Sequence, residues 1–216
     1  MRRSPLIILA IALAPVLVPT TAHAAPMDKA PGEGKDLYRK DFRGQQLAGA
    51  DFDDAYLAGA NFNGVSLGKA KLNWVVASNA TFVKARMQRV TMTNSVLDGT
   101  DFTSADLRRA RFQDSTGEFP TMSRANLSGA NLSNVYFLSP EMEGAKLVKA
   151  NLAGAEIGEA QLMGADLTGA DLTNADLRYA DLTGATLTGA KLTGAKLGNA
   201  TINGRTCAAD SVGACR

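Results

Sequence analysis

Two cysteines near the C-terminus are the residues best suited to covalent chemistry. Cys207 and Cys215 enclose seven residues. In an oxidising compartment such a pair normally forms a disulfide, whereas in the cytosol both thiols stay reduced. Two thiolates without a histidine make a poor metal site. The spacing therefore predicts a Cys207–Cys215 disulfide, with two free thiols as the alternative.

Other residues suited to acid–base or metal chemistry are scattered along the sequence. The single histidine, His23, lies close to the N-terminus, and aspartates such as Asp166, Asp171 and Asp176 recur every five positions instead of gathering at one point. The sequence contains no phosphate-binding loop and no G-x-S-x-G motif. We expect no catalytic residues, no metal site and no cofactor.

Residues 1–24 have the parts of a secretory signal peptide. Two arginines precede an apolar run of 13 residues from Leu6 to Val18, and Ala22-His23-Ala24 follows. This order predicts export, to the bacterial periplasm or beyond it, with cleavage before Ala25. The alternative is a transmembrane anchor, which needs about 20 apolar residues and is therefore disfavoured.

A five-residue period runs through most of the remaining chain. Stepping by five from Leu37 to Ile202 gives 34 centres, of which 32 are Leu, Phe, Met or Ile; Ala77 and Gly117 are the exceptions. Two residues before the centre, 22 of 31 positions from 50 to 200 are Ala. Neither a helix nor a flat strand has this period. The chain must turn a corner every five residues, where Gly or Asn supplies a positive φ.

Bulky residues repeat at a longer interval. Phe42, Phe62, Phe82 and Phe102 are spaced by 20 residues. If these side chains stack on one another, each coil has 20 residues and four sides of five. The sequence therefore predicts about eight coils with one large and one small apolar side chain inside on every side.

The repeat unit resembles that of the pentapeptide repeat family, whose motif is A(D/N)Lxx. It occurs as Ala165-Asp166-Leu167-Thr168-Gly169 and as Ala130-Asn131-Leu132-Ser133-Asn134. The resemblance covers residues 37–204 and implies an all-β fold, a right-handed quadrilateral parallel β-helix of about eight coils of 20 residues. It also implies a binding or structural scaffold and not an enzyme.

The resemblance leaves two short terminal segments. Residues 25–36, which contain two prolines and two glycines, are predicted to form a flexible leader. Residues 205–216 look like the cysteine-paired tail of exported family members, and we expect them to cap the end of the β-helix.

One side of the predicted β-helix is rich in cations. We call its outward-facing cations the basic face: Lys69, Arg86, Arg89, Arg108, Arg109, Lys146 and Lys149. Such a face could attract a polyanion or an anionic surface. The alternative is a solvated face on which Arg86 pairs with Asp106 one coil away, a contact of little energetic value.

A second side has an apolar column. We call it the apolar stripe, and its candidate residues are Tyr56, Val76, Val96, Phe119, Tyr136 and Leu138. Exposed apolar patches often mark partner surfaces. The alternative is that aromatic and β-branched ladders stabilise the strands and have no other role.

These observations favour an exported, non-enzymatic scaffold that binds a protein or cell-envelope partner through its outer surface. Without residues 1–24, 21 basic residues face 21 acidic ones, so nucleic acid is not an expected ligand. Some family members mimic DNA and bind a topoisomerase. That alternative needs an acidic rod in the cytosol, which the signal segment and the neutral charge oppose. We expect no membrane-spanning segment in the mature chain, and two copies could pair through a rod end.

Overall fold

The polypeptide winds as a square β-helix with twenty residues in each coil. The structure, a computed structural model, describes residues 34–215. Parallel pairing joins each residue before a centre to the residue twenty positions later, from Asp36 with Tyr56 to Asp181 with Thr201. The predicted signal peptide and most of the predicted leader lie outside the described residues, which contain no helix of the length and hydropathy that a bilayer crossing requires.

The four sides are numbered by their centres, which repeat every twenty residues. Side 1 is centred on Leu37 to Leu197, side 2 on Phe42 to Ile202, side 3 on Leu47 to Leu187 and side 4 on Phe52 to Leu192. Backbone hydrogen bonds join consecutive coils on every side. On side 1, for example, the amide of Leu57 donates to the carbonyl of Val76 at 2.7 Å. The spacing of coils is therefore that of neighbouring strands, about 4.8 Å.

The core contains the two apolar positions that the sequence predicted. Centres such as Leu67 and the alanines two residues before them, such as Ala80, are fully buried along the middle coils. The phenylalanines of side 2 stack: the ring centroids of Phe62 and Phe82 lie 4.8 Å apart and those of Phe82 and Phe102 lie 5.1 Å apart. The predicted period of twenty residues is confirmed.

Every corner turns through a residue with positive φ. From Arg39 to Gly204, each residue two positions after a centre has φ between 46° and 77°. The turn is closed by a hydrogen bond such as that from the amide of Ala60 to the carbonyl of Leu57, 2.9 Å. A positive φ at the third residue is characteristic of a type II turn and favours Gly or Asn. Bulky residues nevertheless occupy several corners, among them Lys84 and Phe119.

The only three-residue strands among residues 34–215 lie on side 1. They are β1 (Thr116–Glu118) and β2 (Tyr136–Leu138), which pair in parallel. Pro120 and Pro140 follow their corners, and proline has no N–H with which to close the turn. The paired segment is therefore three residues long here, whereas single-residue bridges join most other coils.

The two irregular centres are both buried on side 1. Ala77 is fully buried, and Gly117 lies directly against the coil before it. A Cβ on Gly117 would be 3.1 Å from the carbonyl oxygen of Leu97. The backbone of Leu97 therefore lies close to the position that a side chain at this centre would take.

The C-terminal end reverses direction. β3 (Asp181–Leu182) pairs in parallel with β4 (Thr201–Ile202), and β4 pairs antiparallel with β5 (Arg205–Thr206). Asn203 and Gly204, both with positive φ, form the turn between β4 and β5. Two consecutive positive φ values are typical of a type I′ hairpin.

A disulfide holds the reversed segment. Cys207 and Cys215 are bonded, which confirms the predicted pair, and Cys207 is buried. The amide of Leu197 donates to Ser211 at 2.8 Å, so part of the last coil has a partner that does not continue the parallel stack. This segment pairs with sides 1 and 2 of the last coil, and the last centres Leu187, Leu192 and Ile202 stay half-buried.

Candidate functional site: two binding surfaces

The recurrent Asp and Asn residues act locally. Each accepts the amide of the residue two positions later, as Asp166 does from Thr168 at 3.0 Å and Asn131 from Ser133 at 3.0 Å. Within residues 34–215, no group of three or more His, Cys, Asp or Glu side chains could hold a metal ion. The aspartates of the motif therefore stabilise the backbone of individual sides.

The basic face lies on side 3, and all seven of its residues are exposed. Lys69, Arg89, Arg109 and Lys149 occupy the corner that leads to side 4, in coil register with one another. Arg86 and Lys146 lie before the centres, and Arg108 lies directly after one. The structure thus places these cations on one side and along one edge of it.

The pairing of Arg86 with Asp106 does not form. The two residues are ladder partners, but the carboxylate of Asp106 accepts hydrogen bonds from Arg108 Nη2 at 2.7 Å and from Gln88 Nε2 at 2.6 Å. The hydrogen bond from Arg108 is the largest cause of the lowered pKa of Asp106. In the described part of the chain, no carboxylate oxygen lies within 4.0 Å of a charged nitrogen of Arg86, Arg89 or Arg109.

A groove of about 530 Å³ runs over part of the basic face. Four basic-face residues line it, namely Arg89, Arg108, Arg109 and Lys149, whereas Lys69, Arg86 and Lys146 lie outside it. Its other lining residues were not foreseen from the sequence: Gln88, Ser128, Gly129 and Val148. None of these four residues is charged, so the sequence gives no sign that they line a site. They are identified as lining residues by their position between the cations, which follows from the coil register.

The apolar stripe lies on side 1 but is only partly exposed. Tyr56, Val76, Val96, Thr116 and Tyr136 are consecutive ladder partners, as their spacing predicts. Val76 and Val96 are half-buried, so the middle of the stripe offers little apolar surface. The exposed part is concentrated around Phe119, Tyr136 and Leu138, where 56%, 45% and 37% of the residue surface is accessible.

Exposed large apolar residues of the described chain all lie on side 1, at its corners or beside it. They are Tyr38, Tyr56, Phe119, Tyr136, Leu138 and Tyr179, together with Val212, which pairs with Lys196 of side 1. Tyr38 and Tyr56 stack at 6.1 Å near the first coil. We call Phe119, Tyr136, Leu138 and Tyr179 the aromatic patch.

A depression of about 270 Å³ lies within the aromatic patch. Tyr136, Leu138 and Tyr179 line it together with Gly158, which is in coil register with Leu138. Charges occur at the rim: burial raises the pKa of Asp176, but hydrogen bonds from Arg178, at 2.6 Å for the shortest, outweigh it and the pKa is lowered. Tyr179 was not part of the predicted stripe, because it lies two coils beyond Tyr136 and at a corner.

Comparison with known proteins identifies the repeat. The family described as pentapeptide repeats matches eight copies in residues 36–73, 78–114, 122–155, 139–169 and 165–204. No curated protein sequence matches the chain significantly.

Several solved structures are similar. HetL, a pentapeptide repeat protein involved in heterocyst differentiation regulation in the cyanobacterium Nostoc sp. strain PCC 7120, is 26% identical over 80% of this chain and 91% of its own, with a TM-score of 0.43. A pentapeptide repeat protein of the Arabidopsis thaliana thylakoid lumen is 31% identical over 50% of this chain and 68% of its own, with a TM-score of 0.24. QnrB1, a plasmid-mediated fluoroquinolone resistance protein, is 18% identical over 76% of this chain and 92% of its own, with a TM-score of 0.39.

Pentapeptide repeat proteins are in general structural repeat proteins without catalytic activity. Because the family matches most of the described residues and the coils have its period of five residues and four sides, the chain belongs to the pentapeptide repeat family as a right-handed quadrilateral β-helix.

Proposed function

We propose that this protein is an exported, non-enzymatic scaffold that binds a protein partner in the cell envelope through the aromatic patch on side 1. One observation carries the proposal. In the described chain the exposed large apolar side chains are confined to one of four sides and its flanks. If the four sides served only to enclose the core, the exposed apolar side chains would be expected on all four sides.

The composition of the patch supports a protein ligand. Tyrosine and phenylalanine offer large apolar contact areas, and tyrosine adds a hydroxyl for hydrogen bonds; aromatic residues are enriched at the centres of protein interfaces. Phe119 occupies a corner, and 56% of its surface is exposed and available for contact.

Site-specific crosslinking in the native cell tests the proposed contact. A photoreactive amino acid at Leu138 should give an adduct with a discrete protein. The matched control places it at Met163, a half-buried apolar residue on side 2. Absence of an adduct from Leu138, or the same adduct from both positions, contradicts the role of the patch.

Cell fractionation tests export separately. We expect the mature protein to begin at Ala25 and to be found outside the cytosol. Uncleaved protein in the cytosol contradicts this and revives the DNA-mimic alternative. The exposed cations of side 3 do not favour a DNA mimic, because a DNA mimic presents carboxylates on its surface.

A further inference from the structure

We propose that the groove on side 3 is a second binding site, specific for an extended anionic glycan. It is independent of the aromatic patch on side 1. The choice of a glycan, and not a nucleic acid, rests on the proposed export, which places the groove outside the cytosol.

The charge of the groove is not neutralised from within the protein. Arg89, Arg108, Arg109 and Lys149 line it, and of these four only Arg108 has an ion pair in residues 34–215, with Asp106. The whole chain without its predicted signal segment has equal numbers of acidic and basic residues. The positive charge of the groove therefore comes from the clustering of cations and not from the composition. Uncompensated guanidinium groups attract sulfate, phosphate and carboxylate groups, which they can bind with two parallel hydrogen bonds.

The cations form a row parallel to the axis of the rod. Arg89, Arg109 and Lys149 occupy the same corner on successive coils, with Gly129 in the one place between Arg109 and Lys149. At about 4.8 Å per coil, the row from Arg89 to Lys149 extends for about 14 Å. A linear chain with repeated acidic groups can contact several members of such a row together, whereas a flat bilayer cannot enter a groove.

Gly129 and Val148 give the groove its shape and its apolar surface. Gly129 lines the groove without a side chain, and we call this gap between Arg109 and Lys149 the notch; a Cβ there would make an ordinary van der Waals contact, 3.6 Å, with Cγ of Arg109. Val148 is half-buried beside it. Sugar rings have apolar faces that can pack against Val148. A chain of phosphates has no such apolar face. The volume, about 530 Å³, lies within the usual range for ligand sites, roughly 300–1,000 Å³.

The first test removes the charges without disturbing the corners. In the triple variant Arg89→Asn, Arg109→Asn, Lys149→Asn, asparagine tolerates the positive φ and already occupies other corners, such as that at Asn134. The matched control, Arg39→Asn, Lys84→Asn, Arg124→Asn, removes three corner cations of sides 1 and 2 that also have no ion pair within residues 34–215. The probe is a heparin octasaccharide, and its affinity is measured by calorimetry at low and high salt.

We expect the triple Asn variant to bind the octasaccharide about tenfold more weakly, or worse, and the control to bind it like the wild type. Equal affinity of the triple Asn variant and the wild type overturns the proposal. An equal loss in the control overturns it too, because bulk charge is then the cause. Tighter binding of anionic phospholipid vesicles or duplex DNA than of the octasaccharide also overturns the choice of a glycan.

A second pair of variants tests the notch with every cation in place. Gly129→Asp puts a carboxylate between Arg109 and Lys149, and aspartate is present at a corner of this type at Asp114. Gly164→Asp is the control, because no atom lies within 4 Å of a Cβ there and its corner follows side 2. Loss of octasaccharide binding in the first alone supports the site. Unchanged binding in both overturns it. These outcomes concern side 3 only, so they stay distinct from the crosslinking and fractionation results.

Discussion

Asp106 binds Arg108 within its own coil, by two hydrogen bonds of 2.7 and 2.8 Å, although Arg86 is its ladder partner. Arg108 lies two positions later on the same side, and its guanidinium donates two N–H groups to the carboxylate. Asp41 with Arg43 and Asp176 with Arg178 repeat this arrangement. At Asp106 the short pair within the coil engages the carboxylate, so Arg86 has no ion pair in residues 34–215; elsewhere, as between Lys191 and Asp171, ion pairs do join neighbouring coils.

These ion pairs make the free energy of unfolding depend on pH in the acidic range. Hydrogen bonds from Arg43 lower the pKa of Asp41 from its ordinary 3.8 to about 2, and the pKa of Asp106 is lowered by the hydrogen bond from Arg108. A carboxyl group with a depressed pKa stabilises the folded state above its ordinary pKa, and this contribution is lost as the pH falls through the depressed value. We expect the free energy of unfolding in urea to decrease between about pH 4 and pH 2.

The variant Asp106→Asn is the comparison for this pH dependence. Asparagine keeps the hydrogen bond from the backbone amide of Arg108, since Asn126 accepts the amide of Ser128 in the same way. The decrease in stability below pH 4 should be shallower in this variant. A pH dependence identical to that of the wild type contradicts a contribution from Asp106.

Substitution of charged residues at corners is expected to stabilise the protein. Lys84 is exposed and has φ 56°. The left-handed conformation costs an ordinary residue about 1 kcal/mol, and asparagine tolerates it better. Lys84→Asn should therefore raise the free energy of unfolding by up to about 1 kcal/mol. Lys84→Ala loses the same charge but keeps the strain, and a gain of equal size there contradicts the explanation.

The phenylalanine stack of side 2 should dominate the stability of the early coils. Phe82 is fully buried between the rings of Phe62 and Phe102. Phe82→Ala removes both ring contacts and leaves a cavity, so a loss of about 3–5 kcal/mol is expected in chemical denaturation. Phe82→Leu, which restores the commonest centre, should cost much less. Equal losses for the two variants show that the cavity is not the cause.

Restoring a side chain at Gly117 should destabilise the protein, although nearly every other centre is large. A Cβ there would lie 3.1 Å from the backbone of Leu97, so that backbone must shift by a few tenths of an ångström to admit it. We expect Gly117→Ala to cost about 1–3 kcal/mol of unfolding free energy. A stabilised Gly117→Ala variant contradicts the close approach of these coils.

The last coil predicts a contact between two copies. Leu187 and Leu192 are half-buried, and in the described chain their amides donate to no backbone carbonyl, because no coil follows on sides 3 and 4. Unpaired strand edges promote association. Sedimentation should detect a dimer that Leu192→Asp weakens. A dimer unchanged by that substitution places the contact elsewhere.

The period of five, the four sides and the identity of the buried residues follow from the order of amino acids alone. Phe82 and Ala80 were assigned to the core because one large and one small apolar residue recur in every five without a charge. Local chemistry suffices for this, since each side repeats the same turn and the same two inward positions.

Which surface groups are free to bind depends on contacts between side chains that form in the folded chain. Arg86 and Asp106 are neighbours in the ladder, yet the rotamers of Arg108 and Gln88 determine which side chains reach the carboxylate. Val76 and Val96 share a column with Tyr136 but are half-buried, and Gly129 acquires its importance only from the cations one coil before and one coil after it. Such properties depend on contacts between residues about twenty positions apart, where the outward positions follow no motif.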